Sequence, residues 1–306
     1  MGRLPLHGSL VALLALIAAV GCSGPARQLV GQAAVAQPVS APVQQPAAPA
    51  PPIEVSGEPL DYSVHLPPDA EARSASGGLT VLVALHGMGG NGPEFSGKLI
   101  EDAERNGWVL VAPTINYRDW RDPEQIRLDG SELLPALKAV LDELPNRTGL
   151  ALRKRVLLYG FSRGGQTAHR FALFYPKSVL GVASFSCGTY TLPTTLIRQG
   201  TDEIQLKFPY GVGDIQQYEG QPFDPSSVSQ VDFWLGVGGG DNVPADVPHQ
   251  WDPYIGTTRV ERAQSFADSL AQLGAHTELT IFPNASHEVT DEMRGRAMAH
   301  LAQLAR

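Results

Sequence analysis

From about residue 56 to residue 306, short apolar runs alternate with amphipathic stretches of helical period. Such runs are typical of strands buried on both faces of a parallel sheet, and the stretches between them are typical of connecting helices. The first expected strand has the alternating pattern of an edge strand, and the strands lie at 60–66, 79–85, 108–112, 156–159, 179–185, 231–237 and 277–282. The expected helices lie at 95–106, 131–144, 166–174, 259–273 and 291–305. This order predicts a single α/β domain over residues 56–306, with a mostly parallel central sheet flanked by helices.

The chain between residues 22 and 55 has a different composition. Residues 28–53 carry no charge and consist mainly of Pro, Ala, Gln and Val, without a helical or strand period. Such a sequence cannot bury a core, so we expect an extended, disordered tether.

Residues 1–21 have the pattern of a secretory signal. Arg3 supplies a positive charge, and residues 10–20 form an apolar run too short to span a bilayer as a helix. The segment ends in Ala19-Val20-Gly21-Cys22, which resembles a bacterial lipoprotein signal. That resemblance implies that Cys22 is the lipid-modified first residue and that Ser23 directs the protein to the outer membrane, facing the periplasm. The alternative is an ordinary cleaved signal and a secreted protein.

One short motif joins a predicted strand to a predicted helix. Gly160-Phe161-Ser162-Arg163-Gly164 directly follows the apolar run 156–159 and is the one G-x-S-x-G in the sequence. A sharp turn lifts a serine hydroxyl clear of its neighbours, but the flanking residues must then lack bulk. The motif therefore predicts Ser162 as a nucleophile. A glycine-rich structural turn or a phosphate cradle is the alternative.

Two backbone amides are expected to form an oxyanion site. The segment Leu85-His86-Gly87-Met88-Gly89-Gly90 can bend so that an N–H points inward, and the helix after Ser162 offers free N–H groups at its N-terminus. We expect the Met88 and Arg163 amides to be the donors. We expect His86 to brace the loop by hydrogen bonds.

A nucleophilic serine needs a base to take its proton, and the base needs a carboxylate to fix its tautomer. In parallel sheets such groups collect at the carboxyl ends of the strands. His287 follows the last predicted strand and is the expected base, with His249 as the runner-up. Asp241 follows the strand before it and is the expected carboxylate, with Asp246 and Asp252 of the same loop as rivals.

Charge and cysteine content exclude several classes of function. The net charge of −8, with no basic cluster longer than Arg153-Lys154-Arg155, argues against a nucleic-acid partner. If Cys22 carries lipid, Cys187 has no disulfide partner, and we expect it to be a small buried side chain. The sequence has no metal-ligand spacing, P-loop or dinucleotide fingerprint, so no metal or cofactor is predicted.

The segment 188–230 is long for a connection between adjacent strands. Its composition suits a lid or a pocket wall, because it contains the aromatic and proline residues Tyr190, Phe208, Pro209, Tyr210, Tyr218 and Phe223. A packed surface excursion is the alternative.

The order Ser162, Asp241, His287 on successive strand ends, with His86-Gly87 upstream, resembles the α/β-hydrolase superfamily. The segment 251–274 is similar to secreted bacterial esterases of the polyhydroxybutyrate-depolymerase and feruloyl-esterase group, which have a small residue in place of Arg163. The resemblance implies a serine hydrolase acting on a small-molecule or polymer-end carboxylic ester. A peptidase or an acyltransferase would use the same three residues, and a non-catalytic envelope-binding lipoprotein is the alternative from another class.

Overall fold

A computed structural model describes residues 60–199 and 201–306 of the chain. The strands are β1 Asp61–His65, β2 Val81–Leu85, β3 Val109–Thr114, β4 Val156–Phe161, β5 Val179–Phe185, β6 Leu196–Gln199, β7 Asp202–Gln205, β8 Asp232–Gly238 and β9 Thr277–Phe282. The helices are α1 Ala70–Ala75, α2 Gly92–Gly97, α3 Ile100–Asn106, α4 Pro123–Thr148, α5 Arg163–Phe174, α6 Gln216–Glu219, α7 Pro225–Val228, α8 Asp252–Ile255, α9 Arg259–Gln272 and α10 Asp291–Leu304.

Seven strands form one sheet in the order β1-β3-β2-β4-β5-β8-β9. Strand β1 lies at the edge and runs antiparallel to β3, and every other neighbouring pair is parallel. Strands β6 and β7 form a separate antiparallel pair. The predicted α/β class, the mostly parallel sheet and the edge position of the first strand are confirmed.

Two predicted helices differ from the observed ones. The stretch 95–106 forms α2 and α3 rather than one helix, and the helix expected at 131–144 is the longer α4. Residues Gly130, Pro135 and Pro145 lie inside α4, although glycine and proline normally weaken a helix interior. The helix continues through them because its apolar side chains are buried in the core: Ile126, Leu134, Leu137, Val140 and Leu144.

Neighbouring residues of β4 are buried on opposite faces of the sheet. Leu158 belongs to the core that also contains side chains of α4, α5 and α9, whereas Leu157 and Tyr159 belong to the core that contains side chains of α3 and α10. The strand is therefore packed from both sides, which fixes the position of its carboxyl end and of the serine that follows it.

Within the described ranges, no helix is both long enough and apolar enough to cross a bilayer. The predicted signal segment 1–21, Cys22 and the tether 22–55 lie outside the described residues.

Candidate active site

Ser162 occupies the sharp turn between β4 and α5. Its backbone has φ 54° and ψ −115°, a left-handed conformation that a non-glycine residue rarely adopts and that costs about 1–3 kcal/mol. The turn is held by a hydrogen bond from the Ser162 amide to the Phe185 carbonyl, at 2.8 Å. The conformation points to a functional reason for the serine, because a structural turn would favour glycine.

The glycines on either side of Ser162 are required by close backbone packing. A Cβ atom at Gly164 would collide with the backbone of Leu85 and His86, and one at Gly160 would collide with Gly164 and Gly165. These contacts involve backbone atoms that cannot move aside. The sequence argument that the flanking positions must lack bulk therefore has a direct steric basis.

Ser162, His287 and Asp241 form a continuous chain of hydrogen bonds. The Nε2 atom of His287 lies 3.1 Å from the Ser162 hydroxyl oxygen, and Nδ1 lies 2.8 Å from a carboxylate oxygen of Asp241. An ionised carboxylate can only accept, so Nδ1 carries the proton and Nε2 is left to accept from the serine hydroxyl. The structure thus brings the three side chains together in the geometry that a base-activated serine requires.

Asp241 is 4% exposed, and both of its carboxylate oxygens are occupied. One faces His287, and the other accepts a hydrogen bond of 2.7 Å from Arg259, the first residue of α9. Burial raises the pKa of this carboxyl, but the hydrogen bond from His287 and the charge of Arg259 outweigh burial and leave the pKa below its ordinary value. The carboxylate therefore stays ionised at neutral pH, as an orienting group must.

The rival residues of the same loop have other partners. Asp252 lies 2.9 Å from His249 and 2.7 Å from Arg262, so it and His249 form a separate contact. Asp246 contributes its backbone carbonyl, which accepts a hydrogen bond of 2.8 Å from Arg259. In the described residues, the carboxylate in contact with His287 is that of Asp241.

The amides of Met88 and Arg163 are available to a ligand. No acceptor among the described residues bonds either N–H, and both residues border the cavity beside Ser162. His86 is 1% exposed and links the loop to the strand beside it. Its Nδ1 donates to the Gly87 carbonyl at 2.7 Å, and its Nε2 accepts from the Ile115 amide at 2.9 Å.

The cavity beside Ser162 has a volume of about 240 Å³. Its lining consists of loop and helix-end residues around the carboxyl ends of the strands: Met88, Trp120, Ser162, Arg163, Gln166, Gly188, Asp246, Pro248, Arg259 and His287. His287 also borders a second cavity of about 730 Å³, whose apolar wall includes Phe95, Tyr159 and Phe161.

Segment 188–230, for which the sequence left a lid or pocket wall and a packed surface excursion open, contributes little to this cavity. Gly188 is the residue of that segment in the lining, while Tyr190 and Phe208 are 1% and 3% exposed and belong to the hydrophobic core. Aromatic content does not reveal which side of a segment faces the protein. The walls come instead from the loops that carry Trp120 and Pro248, which the sequence did not single out.

Cys187 is a free, fully buried thiol. Its Sγ lies 3.1 Å from the Ser184 hydroxyl, and burial raises its pKa to about 11. A thiol with so high a pKa is protonated at neutral pH and is a poor nucleophile.

A second group of titratable residues lies at the amino ends of β8 and β9. Asp232, His276 and His300 could each offer one metal-ligand atom, and these atoms lie within 4.8 Å of one another. Each oxygen of the Asp232 carboxylate already contacts one imidazole, at 2.7 Å for His276 and 2.6 Å for His300. The three positions are too far apart in sequence for ligand spacing to have revealed them.

No protein-family model and no curated protein matches the chain. Solved structures do match. The poly(aspartic acid) hydrolase-1 of Sphingomonas sp. KT-1 superposes with a TM-score of 0.61 at 19% identity, over 81% of this chain and 95% of that one. Esterase PE8 superposes with a TM-score of 0.53 at 17% identity, over 81% of this chain and 100% of that one. A phospholipase/carboxylesterase from Dyadobacter fermentans DSM 18053 superposes with a TM-score of 0.52 at 16% identity, over 81% of this chain and 97% of that one.

These three solved structures are those of a hydrolase, an esterase and a phospholipase/carboxylesterase. The described part of the chain therefore has the α/β-hydrolase fold, as its sequence pattern implied.

Proposed function

We propose that this protein is a serine hydrolase that cleaves carboxylic esters through an acyl-enzyme. The observation that carries the proposal is the unbroken hydrogen-bond chain from Ser162 through His287 to Asp241, next to two backbone amides that have no acceptor in the described part of the chain. Two of the structural neighbours have ester hydrolysis in their names, which supports an ester as the substrate.

In the first half of the reaction, His287 Nε2 takes the Ser162 proton while the serine oxygen bonds to the ester carbonyl carbon. The Met88 and Arg163 amides donate to the oxyanion, and Asp241 stabilises the imidazolium. The carbon–oxygen bond to the alcohol then breaks, and His287 returns the proton to the departing alcohol. In the second half, His287 takes a proton from water while the water oxygen bonds to the acyl carbon. The bond to the Ser162 oxygen then breaks, the proton returns to the serine, and the carboxylic acid is released.

A fluorophosphonate probe tests the nucleophile directly. We expect the wild-type protein to be labelled and Ser162→Ala to remain unlabelled, because the probe reacts with an activated serine. Equal labelling of the two proteins, or none of either at high probe concentration, would refute the proposal and favour a non-catalytic envelope-binding protein.

A panel of p-nitrophenyl esters and p-nitroanilide amides then separates the alternatives. A peptidase should release p-nitroaniline from the amides as well as p-nitrophenol from the esters, because activated esters are the easier substrates of any acylating serine. An esterase should hydrolyse the esters and leave the matched amides at the rate measured with Ser162→Ala. An acyltransferase would be recognised by faster turnover when an acceptor alcohol is added.

We further propose that Cys22 carries a lipid and that the enzyme is held at the bacterial envelope by residues 22–55. The proposal rests on the sequence pattern of residues 1–22. Labelled palmitate should be incorporated into the wild-type protein and not into Cys22→Ser. Incorporation that survives the substitution would exclude the anchor and favour an ordinary secretory signal.

A further inference from the structure

The floor of the cavity beside Ser162 contains a side-chain amide with a fixed orientation. The Oε1 atom of Gln166 accepts from Arg163, Arg170 and Thr189, at 2.8, 3.3 and 2.8 Å. Three donors on the oxygen leave the Nε2 group as the face that borders the cavity. That group donates to no acceptor among the residues the structure describes, so the floor presents unpaired N–H bonds to a ligand.

Two guanidinium groups in the lining also keep an unpaired N–H. The Nε atoms of Arg163 and Arg259 are buried and have no hydrogen-bond partner in the described ranges, and the two residues are 3% and 8% exposed. Gly188 leaves space beside two of these donors. A Cβ built there would lie 3.6 Å from Gln166 Nε2 and 3.9 Å from Arg259 Nε, with a Val247 methyl group at 3.8 Å. A small acceptor in that space would face both donors.

The charge beneath the floor is not balanced. Arg163 is paired with Asp129 and Arg259 with Asp241. Among the described residues, Arg170 bonds to neutral oxygens alone. Its three contacts are Gln166 and the hydroxyls of Thr189 and Thr191. Burial lowers the pKa of Arg170 to about 9, which still leaves the guanidinium charged at neutral pH. An unpaired buried cation stabilises an anion bound close to it.

Asp246 also borders the cavity and carries a negative charge, but its side chain is exposed to solvent. Its interaction with a ligand is therefore screened, whereas the charge of Arg170 is not. The buried charges of the floor consequently dominate the field inside the cavity.

We propose that the cavity beside Ser162 binds a carboxylate group of the substrate, so that this enzyme prefers esters whose acyl part carries an acid close to the scissile carbonyl. The inference rests on the proposed ester hydrolysis and adds the substrate class to it. The carboxylate lies against Gln166 Nε2 and the Arg259 guanidinium, and Arg170 supplies the charge behind them. A planar carboxylate suits this floor because it accepts from two donors at once.

The test compares acidic esters with neutral esters of the same shape. Monomethyl succinate, glutarate and adipate are paired with methyl 4-methylpentanoate, 5-methylhexanoate and 6-methylheptanoate, and acid release is followed in a pH-stat. We expect at least one acidic ester to exceed its neutral partner by about tenfold or more in kcat/KM, since a charge-assisted hydrogen bond contributes at least about that factor. Turnover of all pairs within a factor of two would overturn the inference and leave the proposed ester hydrolysis intact.

Position 188 supplies a matched pair of variants. Gly188 has no left-handed φ, and a Cβ there would make only ordinary contacts, so we expect Gly188→Asp and Gly188→Asn both to fold. The aspartate places a carboxylate where the substrate's carboxylate should lie, and the asparagine has the same size without the charge. We expect the acidic-to-neutral ratio to fall to about one in Gly188→Asp and to remain above one in Gly188→Asn. Equal ratios in the two variants would contradict the inference.

A binding measurement separates failure of this inference from failure of the proposed reaction. In Ser162→Ala, which cannot turn over, monomethyl glutarate should raise the Tm more than methyl 5-methylhexanoate at the same concentration and ionic strength. A shift with the acidic ester alone, together with a wild-type protein that hydrolyses no ester, would refute the reaction and retain the carboxylate site. Equal shifts with both esters would refute the carboxylate site.

Discussion

Strand β8 has an aspartate near each of its ends, and strand β9 has a histidine near each of its ends. At the carboxyl ends, Asp241 follows β8 and His287 follows β9, with 2.8 Å between carboxylate and Nδ1. At the amino ends, Asp232 begins β8 and His276 precedes β9, with 2.7 Å between the same kinds of atom. The two pairs have the same residue types and nearly the same contact distance.

The pairs differ in what surrounds them. The second nitrogen of His287 reaches the Ser162 hydroxyl, whereas the second contact of Asp232 is another imidazole, that of His300. The Asp241 side chain is 3% exposed and that of Asp232 is 16% exposed. An Asp–His contact is therefore not in itself a catalytic arrangement. It needs a strained serine, unpaired amides and a dry, ionised carboxylate beside it.

Substituting the histidine at each end should give the largest difference. We expect His287→Gln to lower kcat/KM for p-nitrophenyl butyrate by at least about a thousandfold, because no group then takes the serine proton. His276→Gln should stay within about a factor of two of wild type. A comparable loss in both variants, with both folded by circular dichroism, would remove the functional contrast between the two ends.

The packing around the serine turn should give the next largest effect. Gly164→Ala places a methyl group against the backbone of Leu85, so we expect the free energy of unfolding to fall by about 3 kcal/mol or more. Gly295→Ala is the control, because Gly295 lies exposed in α10 with open space around it. The free energy of unfolding of this variant, measured in urea, should rise by up to about 1 kcal/mol. A tolerated alanine at position 164 would mean that the turn is not packed as described.

A third carboxylate, Glu219, sharpens the contrast with Asp241. Asp241 is held ionised by the hydrogen bond from His287 and the charge of Arg259, whereas burial raises the pKa of Glu219 to about 7, above its ordinary value of 4.5. The folded state therefore binds this proton more tightly than the unfolded state. The stability that Glu219 contributes by binding this proton is fully present below about pH 4.5 and declines as the pH rises towards 7.

Glu219→Gln should remove that decline. At pH 8 we expect the variant to be more stable than wild type by about 1 kcal/mol, a figure reduced for the partial exposure of the side chain. At pH 4.5 the two proteins should have equal urea midpoints. A constant difference between pH 4.5 and pH 8 would show that the effect is not one of ionisation.

The sequence predicted the sheet and the strand ends well because buried parallel strands form continuous apolar runs with polar residues directly after them. Ser162, Asp241 and His287 could be selected from position alone, and the structure brings all three together. The supporting arginines could not be found in this way. Arg163 contacts Asp129 in α4, and Arg259 contacts the loop before α9, so neither partner follows from local spacing.

The capping box of α9 shows where such reasoning stops. Thr258 and Glu261 identify the start of the helix from sequence, and Arg259 between them has no pattern of its own. Only the folded loop shows that its guanidinium joins Asp241 to the Asp246 carbonyl. The two alternatives for segment 188–230 stayed open for a related reason, because composition gives the number of aromatic rings and not the direction in which they point.

The left-handed backbone at residue 162 is needed for activity and lowers the stability of the fold. Glycine would relax that conformation at no steric cost, so Ser162→Gly should raise the urea midpoint relative to Ser162→Ala while both variants remain inactive. A screen that rewarded heat resistance alone would thus discard the very side chain on which turnover depends. The inactive glycine variant would have the higher urea midpoint of the two.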